Sequence, residues 1–181
     1  MVTHVPAEAK GDERGALLGF LDEARGGLRR ALLGLTDEQA ARKPSKSELS
    51  LSGLLKHVAE VEQSWIARAK RQDPAVERTE ANWHECFLLV GDETVASQLA
   101  YWEKVAGETE AFIRGAESLD ATFPLPEQPW FPKEEVSLRW VLLRLISEVD
   151  RHAGHADIIR ESLDGKTAFE LVAEESGQSW G

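Results

Sequence analysis

An all-α four-helix bundle is the fold that this sequence of 181 residues predicts, and three observations predict it. Four long stretches repeat apolar residues at three- and four-residue steps, the period of a helix with one face turned to a core. The second and third stretches are followed by long connections, one opening on Asp73-Pro74 and the other carrying four prolines, and such segments suit crossovers between helices. A hydrophobic content of 42% over this length supports one well-buried domain and is short for two.

Residues 1–11, with Pro6 and Gly11 and little periodicity, read as a flexible lead-in. The first helix is expected from about Asp12. Leu17, Leu21, Ala24, Leu28, Ala31, Leu32 and Leu35 form its apolar side, with Arg25, Arg29 and Arg30 on the other. Thr36-Asp37-Glu38-Gln39 has the form of a capping box and predicts a short helical piece to Arg42, stopped by Pro44. The second long helix is expected after Ser50 to about Arg71, on Leu51, Leu54, Leu55, Val58, Val61, Trp65, Ile66 and Ala69. His57 stands on the flank of that stripe.

Residues 73–92 read as a loop holding Trp83, His84, Cys86 and Phe87, and the run Phe87-Leu88-Leu89-Val90 is too short for periodicity to assign. Val95, Leu99, Trp102, Ala106, Thr109 and Ile113 predict a third long helix from about Glu93 to Ala116, capped by Asp92. The segment from Ser118 to Val136 contains Pro124, Pro126, Pro129 and Pro132 with Phe123, Trp130 and Phe131, which excludes helix and central strand. It reads equally as a stiff connector packing its aromatics and as a cover for a site. Ser137 caps the fourth helix and Asp164-Gly165 closes it. The bundle thus spans 12–165, and residues 166–181 form a tail with one helical turn around Phe169-Glu170-Leu171-Val172.

A net charge of −11 and a pI near 5.0 repel phosphate backbones and anionic lipids, so neither nucleic acid nor a membrane surface is an expected partner. No apolar run approaches the ~18 residues that span a bilayer, and the N-terminal residues lack the apolar stretch of a signal peptide, so a cytoplasmic location is expected. The single cysteine, Cys86, has no internal disulfide partner and reads as an unreactive structural thiol. His4 and His84 fall in expected loops and read as surface residues.

The chemistry concentrates in the fourth helix. At roughly 100° per residue, Val141, Leu145, Glu148, His152, His155 and Ile159 fall on one stripe, placing two imidazoles and a carboxylate where leucines belong. Burying such groups without partners costs several kcal/mol. Residues four apart on a helix have Cβ atoms about 5–6 Å apart, so Glu148 and His152 can share one ion. Spacing alone also permits His155 as a ligand. A further ligand must come from another helix, and His57 is the candidate. Two histidines and a carboxylate leave a coordination position open, as in catalytic zinc sites, and the same set suits iron(II), while imidazole suits nickel.

These residues resemble the DinB-like metal-dependent four-helix bundles, which include thiol S-transferases and the mycothiol-dependent maleylpyruvate isomerase. The pattern is a histidine in the second helix, here His57, and some ninety residues later a histidine or glutamate followed after four residues by a histidine, here Glu148 and His152. The phrases Leu138-Arg139-Trp140-Val141 and Arg151-His152-Ala153-Gly154-His155-Ala156-Asp157 are similar to an uncharacterised branch of the same superfamily. The resemblance implies that His57, Glu148 and His152 bind a divalent ion, zinc first with Ni2+ or Fe2+ as alternatives. It also implies a low-molecular-weight thiol as co-substrate and a second, electrophilic small molecule. The isomerase has a further C-terminal domain that the residues after Gly165 are too few to form, so thiol transfer is expected over isomerisation. His155, where many relatives have glutamine, is expected beside the open position as a catalytic group. Two other readings compete: a non-catalytic bundle, as a homodimer, in which the ion locks helices together, and metal-assisted hydrolysis. Arginines near the site would serve an anionic substrate, but the sequence does not say which ones approach it.

Overall fold

The structure is a computed structural model and describes residues 12–129 and 131–177. Its elements are α1 (Glu13–Ala31), α2 (Asp37–Ala40), α3 (Leu51–Ala69), a 3-10 turn (Trp83–Phe87), α4 (Val95–Gly115), β1 (Thr122–Pro124), β2 (Glu135–Ser137), α5 (Leu138–Asp164) and α6 (Ala168–Ser176). The four long helices are the four expected ones. The lead-in, His4, Trp130 and the last residues of the tail lie outside the described residues.

Local signals set most boundaries. The Asp12 side chain accepts from the Gly15 amide at the start of α1, and Thr36 and Gln39 complete a reciprocal capping box on α2. Ser50 caps α3 and Ser137 caps α5, which ends on Gly165 at φ 82°, a left-handed position that glycine adopts without a Cβ penalty. Two expectations, the cap of α4 and the length of the tail helix, need correction. Thr94, not Asp92, caps α4, because its side chain accepts from the Ser97 amide and Ser97 bonds back to it. The proline-rich connection contains a short antiparallel hairpin, with Phe123 paired to Val136. The tail forms a nine-residue helix, since Thr167 and Glu170 make another capping box and Leu171 is buried.

Three contacts fix α1 and α5 as parallel neighbours. Arg139 donates to Glu13 at 2.6 Å near their starts, Gly27 faces the Ala153 methyl midway, and Arg160 donates to the carbonyls of Ala31 and Leu33 near their ends. α3 runs antiparallel to α5, with His57 at Glu148 and Trp65 at Trp140. α3 and α4 are parallel: Lys56 pairs with Glu93 just before α4, and Lys70 lies over Phe112 further along. α4 is antiparallel to α1, where Arg29 meets Glu103 and Arg14 meets the carbonyl of Arg114. α3 and α4 are consecutive in the chain and parallel, so the connection between them, residues 70–94, must cross back along the bundle, whereas residues 116–137 join the antiparallel α4 and α5.

Leu21, Leu54, Leu55, Val58, Val141, Leu142, Leu145 and Ile113 fill the core, and full burial of each such side chain contributes about 1.5–3 kcal/mol. Arg25 and Arg30 depart from the expected solvent side and are buried. Arg25 crosses the core to Glu62 of α3, its Nε donating at 3.1 Å to Oε2. Glu62 also accepts from Trp102 Nε1 at 2.9 Å and Thr109 Oγ1 at 2.7 Å, so one carboxylate joins α1, α3 and α4.

Candidate metal centre

His57 occupies the second turn of α3, where the helix is held from several sides. The buried Lys56 ammonium donates to Glu93 at 2.6 Å, and Arg78 grips Glu60 through two bonds of 2.8 and 2.6 Å, anchoring the α3–α4 connection along the helix. Gly53 lets that connection approach: a Cβ there would lie 2.2 Å from the Phe87 carbonyl oxygen. The close approach carries Phe87 onto His57, their rings stacked at 4.2 Å and 21°. A ring held flat on its neighbour loses rotational freedom, so His57 Nε2 is aimed at α5.

On α5, the four-residue spacing does what the sequence requires of it. Nε2 of His57 and Nε2 of His152 each lie 3.3 Å from the same oxygen, Oε1 of Glu148. The other oxygen, Oε2, accepts from Arg144 at 2.7 Å. All three candidate donor atoms lie within 4.8 Å of one another, and this is the one such cluster of metal-ligating side chains among the described residues. Donors bonded to a tetrahedral ion at 2.0–2.2 Å stand about 3.4 Å apart, so the two nitrogen-to-oxygen spacings match two edges of such a site. The donor set therefore fits a divalent ion with little rearrangement.

Hydrogen bonding from His152 and His57, with the charge of Arg144, holds the Glu148 carboxyl far below its ordinary pKa against the opposing effect of burial. It is an anion, as a ligand must be. His155 Nδ1 lies 3.4 Å from His152 Nδ1, the nitrogen turned away from Glu148. His155 thus reaches the cluster through His152. Burial, with the charges of His152 and Arg151 adding to it, lowers the His155 pKa.

The structure brings together His57, Glu148 and His152 and places His155 against them. His84 is exposed, and Cys86 is buried, with burial raising its thiol pKa. Phe87 and Arg144 are neighbours that the sequence reading did not assign to the site. The i, i+4 spacing of Arg144 and Glu148 was a usable signal, whereas nothing in the pattern of residues 83–90 marks Phe87 as the partner of His57.

A family model described as mycothiol-S-transferase matches residues 16–165. No curated protein matches the chain. Among solved structures, a conserved protein from Enterococcus faecalis is similar at 19% identity and a TM-score of 0.66, covering 83% of this chain and 96% of its own. YfiT from Bacillus subtilis, described as a probable metal-dependent hydrolase with an unusual four-helix bundle topology, is similar at 18% identity and a TM-score of 0.53, covering 97% and 95%. These two likenesses establish the fold, and the family match covers nearly the whole bundle, including every residue of the cluster. The chain belongs to the mycothiol-S-transferase family of DinB-like four-helix bundles.

Proposed function

We propose that this protein transfers a low-molecular-weight thiol to an electrophilic small molecule, with a divalent ion held by His57, Glu148 and His152. One observation carries the reading. The three ligand side chains keep 10%, 12% and 10% of their surface exposed, and among the described residues no fourth histidine, cysteine or carboxylate joins them. A structural zinc is normally closed by four protein ligands, while three ligands and an exposed edge leave room for a reactant.

The ion would supply charge that stabilises a thiolate, a form scarce at neutral pH for a free thiol of pKa about 8.5. The chain's own residues do the rest. Glu148 keeps one oxygen toward the two imidazoles because Arg144 holds the other. Phe87 fixes the plane of the His57 ring. With His152 Nε2 committed to the ligand cluster, its Nδ1–H donates to His155 Nδ1, so His155 sets the tautomer and orientation of His152. In this assignment His155 supports catalysis through His152. Zinc is the first choice of ion, and iron(II) and nickel fit the same donors.

The test incubates zinc-loaded protein with a panel of low-molecular-weight thiols, mycothiol and bacillithiol among them, and a panel of alkylating and epoxide electrophiles. The expected result is an S-conjugate detected by mass spectrometry that requires the ion and disappears in His57→Ala. Hydrolysed electrophile without thiol incorporation would assign the site to hydrolysis. No ion-dependent product with any pair would contradict an enzymatic role.

A further inference from the structure

We infer that the small molecule reaching this site carries an anionic group besides the atom presented to the ligand cluster, and that Arg144 and Arg151 receive it. The inference rests on the thiol-transfer reading above and narrows its substrate class.

Arg144 and Arg151 flank Glu148 on α5, four residues before it and three after. These offsets put all three on one helix face, on successive turns. Arg144 remains 44% exposed while it holds Glu148, so its guanidinium has donors turned outward. Arg151 is exposed and forms no ion pair with any described carboxylate. That is notable in a chain with 32 acidic and 21 basic side chains, where most arginines that border a core helix find an acid. Arg25, Arg29, Arg78, Arg139 and Arg160 all do so. The rim of the site is therefore a patch of positive charge on an acidic protein, a field that draws anions to this point and away from the remaining surface.

The seam between α3 and α5 continues the argument. One turn beyond Arg144, Trp140 is 38% exposed and packs edge-on against Trp65 at 5.4 Å, which in turn meets Phe131 of the proline-rich connection at 5.9 Å. Charge and aromatic surface thus follow one another along the same face of α5. A ligand with a carboxylate beside a planar or apolar body has both kinds of contact available, and a guanidinium fork gives a carboxylate two parallel bonds.

The test loads the protein with cobalt(II) and follows the thiolate-to-cobalt absorption band during titration with mercaptosuccinate, 3-mercaptopropionate, 2-mercaptoethanol and cysteamine at low salt. The readout is the ratio of affinities for anionic and uncharged thiols, compared between the natural protein and Arg151→Gln, which cancels intrinsic differences among the thiols. The expected result is a preference for mercaptosuccinate that falls about two- to fivefold in Arg151→Gln, is partly restored by Arg151→Lys, which keeps the charge without the fork, and shrinks in high salt. Cobalt stoichiometry and band position should be unchanged. An unchanged ratio in Arg151→Gln and in the Arg144→Gln/Arg151→Gln double variant would overturn the inference and leave thiol transfer standing. Absence of the band with every thiol would overturn the thiol reading itself, and the inference with it.

Discussion

Glu62 and Glu148 are both carboxylates carried toward the bundle interior, Glu62 by α3 and Glu148 by α5, yet their partners differ in kind. Glu62 is 0% exposed and is saturated by Arg25, Trp102 and Thr109, hydrogen-bond donors that cannot serve as metal ligands and that an ion at Glu62 would leave without their acceptor. Glu148 keeps 12% of its side chain exposed and meets two imidazoles, groups that can exchange a hydrogen bond for a metal bond, and an arginine that lies near solvent. The first arrangement locks three helices. The second is a donor set that could hold a metal ion. The difference teaches that a buried acid signals function only when its partners have a second use.

The comparison breaks most visibly at Arg25. Arg25→Met leaves the Glu62 charge buried without its cation, and the expected cost is about 3–5 kcal/mol of stability, read as a lower urea midpoint with an unchanged slope. Metal binding by the folded fraction should survive. A loss below about 1 kcal/mol, the range of an exposed ion pair, would show that the Glu62 network is not the lock described.

The opposite signature is expected at the other acid. His57→Ala and His152→Ala should each weaken metal binding at least about a hundredfold, since even support residues behind a ligand are worth 10–100-fold. Circular dichroism should show both variants folded, because most of the core is apolar and packs without the ion. Zinc at a hundred times its dissociation constant should stabilise the natural protein by about 2.7 kcal/mol, and this gain should vanish in either variant. Glu148→Gln should weaken binding less completely, the amide oxygen remaining as a poor, uncharged ligand.

Two smaller effects sharpen the account. Gly53→Ala forces the Phe87 carbonyl away from α3, with an expected cost of about 1–3 kcal/mol for the overpacked contact and weaker metal binding as Phe87 leaves the His57 ring. Retention of full affinity would remove Phe87 from the site. His155→Ala frees the Nδ1 side of His152 and should lower metal affinity about tenfold, whereas His155→Gln, which keeps an acceptor, should lie closer to the natural protein in calorimetric titration.

The four long helices were legible because each shows its period over five or more turns, and Ser50, Ser137 and Gly165 marked their ends. The cluster was legible for a related reason: Glu148 and His152 share a helix face by spacing, and His57 breaks an otherwise apolar neighbourhood. The Glu62 lock was not legible, since its donors lie 37, 40 and 47 residues away and nothing local distinguishes Arg25 from a solvent-facing arginine. The same holds for Phe87, which reaches His57 only because Gly53 lets a loop touch α3. The tail helix shows only one turn of signal in the sequence, because a single capping box and one apolar anchor, Leu171, mark it.

Calorimetric titration of zinc into metal-free protein, run side by side with the His57→Ala/His152→Ala double variant, tests the central claim most directly. The account predicts about one tightly bound ion per chain, because three convergent ligands describe one site, and no tight binding in the folded double variant. No stoichiometric ion in the natural protein, or an ion still bound tightly by the double variant, would contradict it.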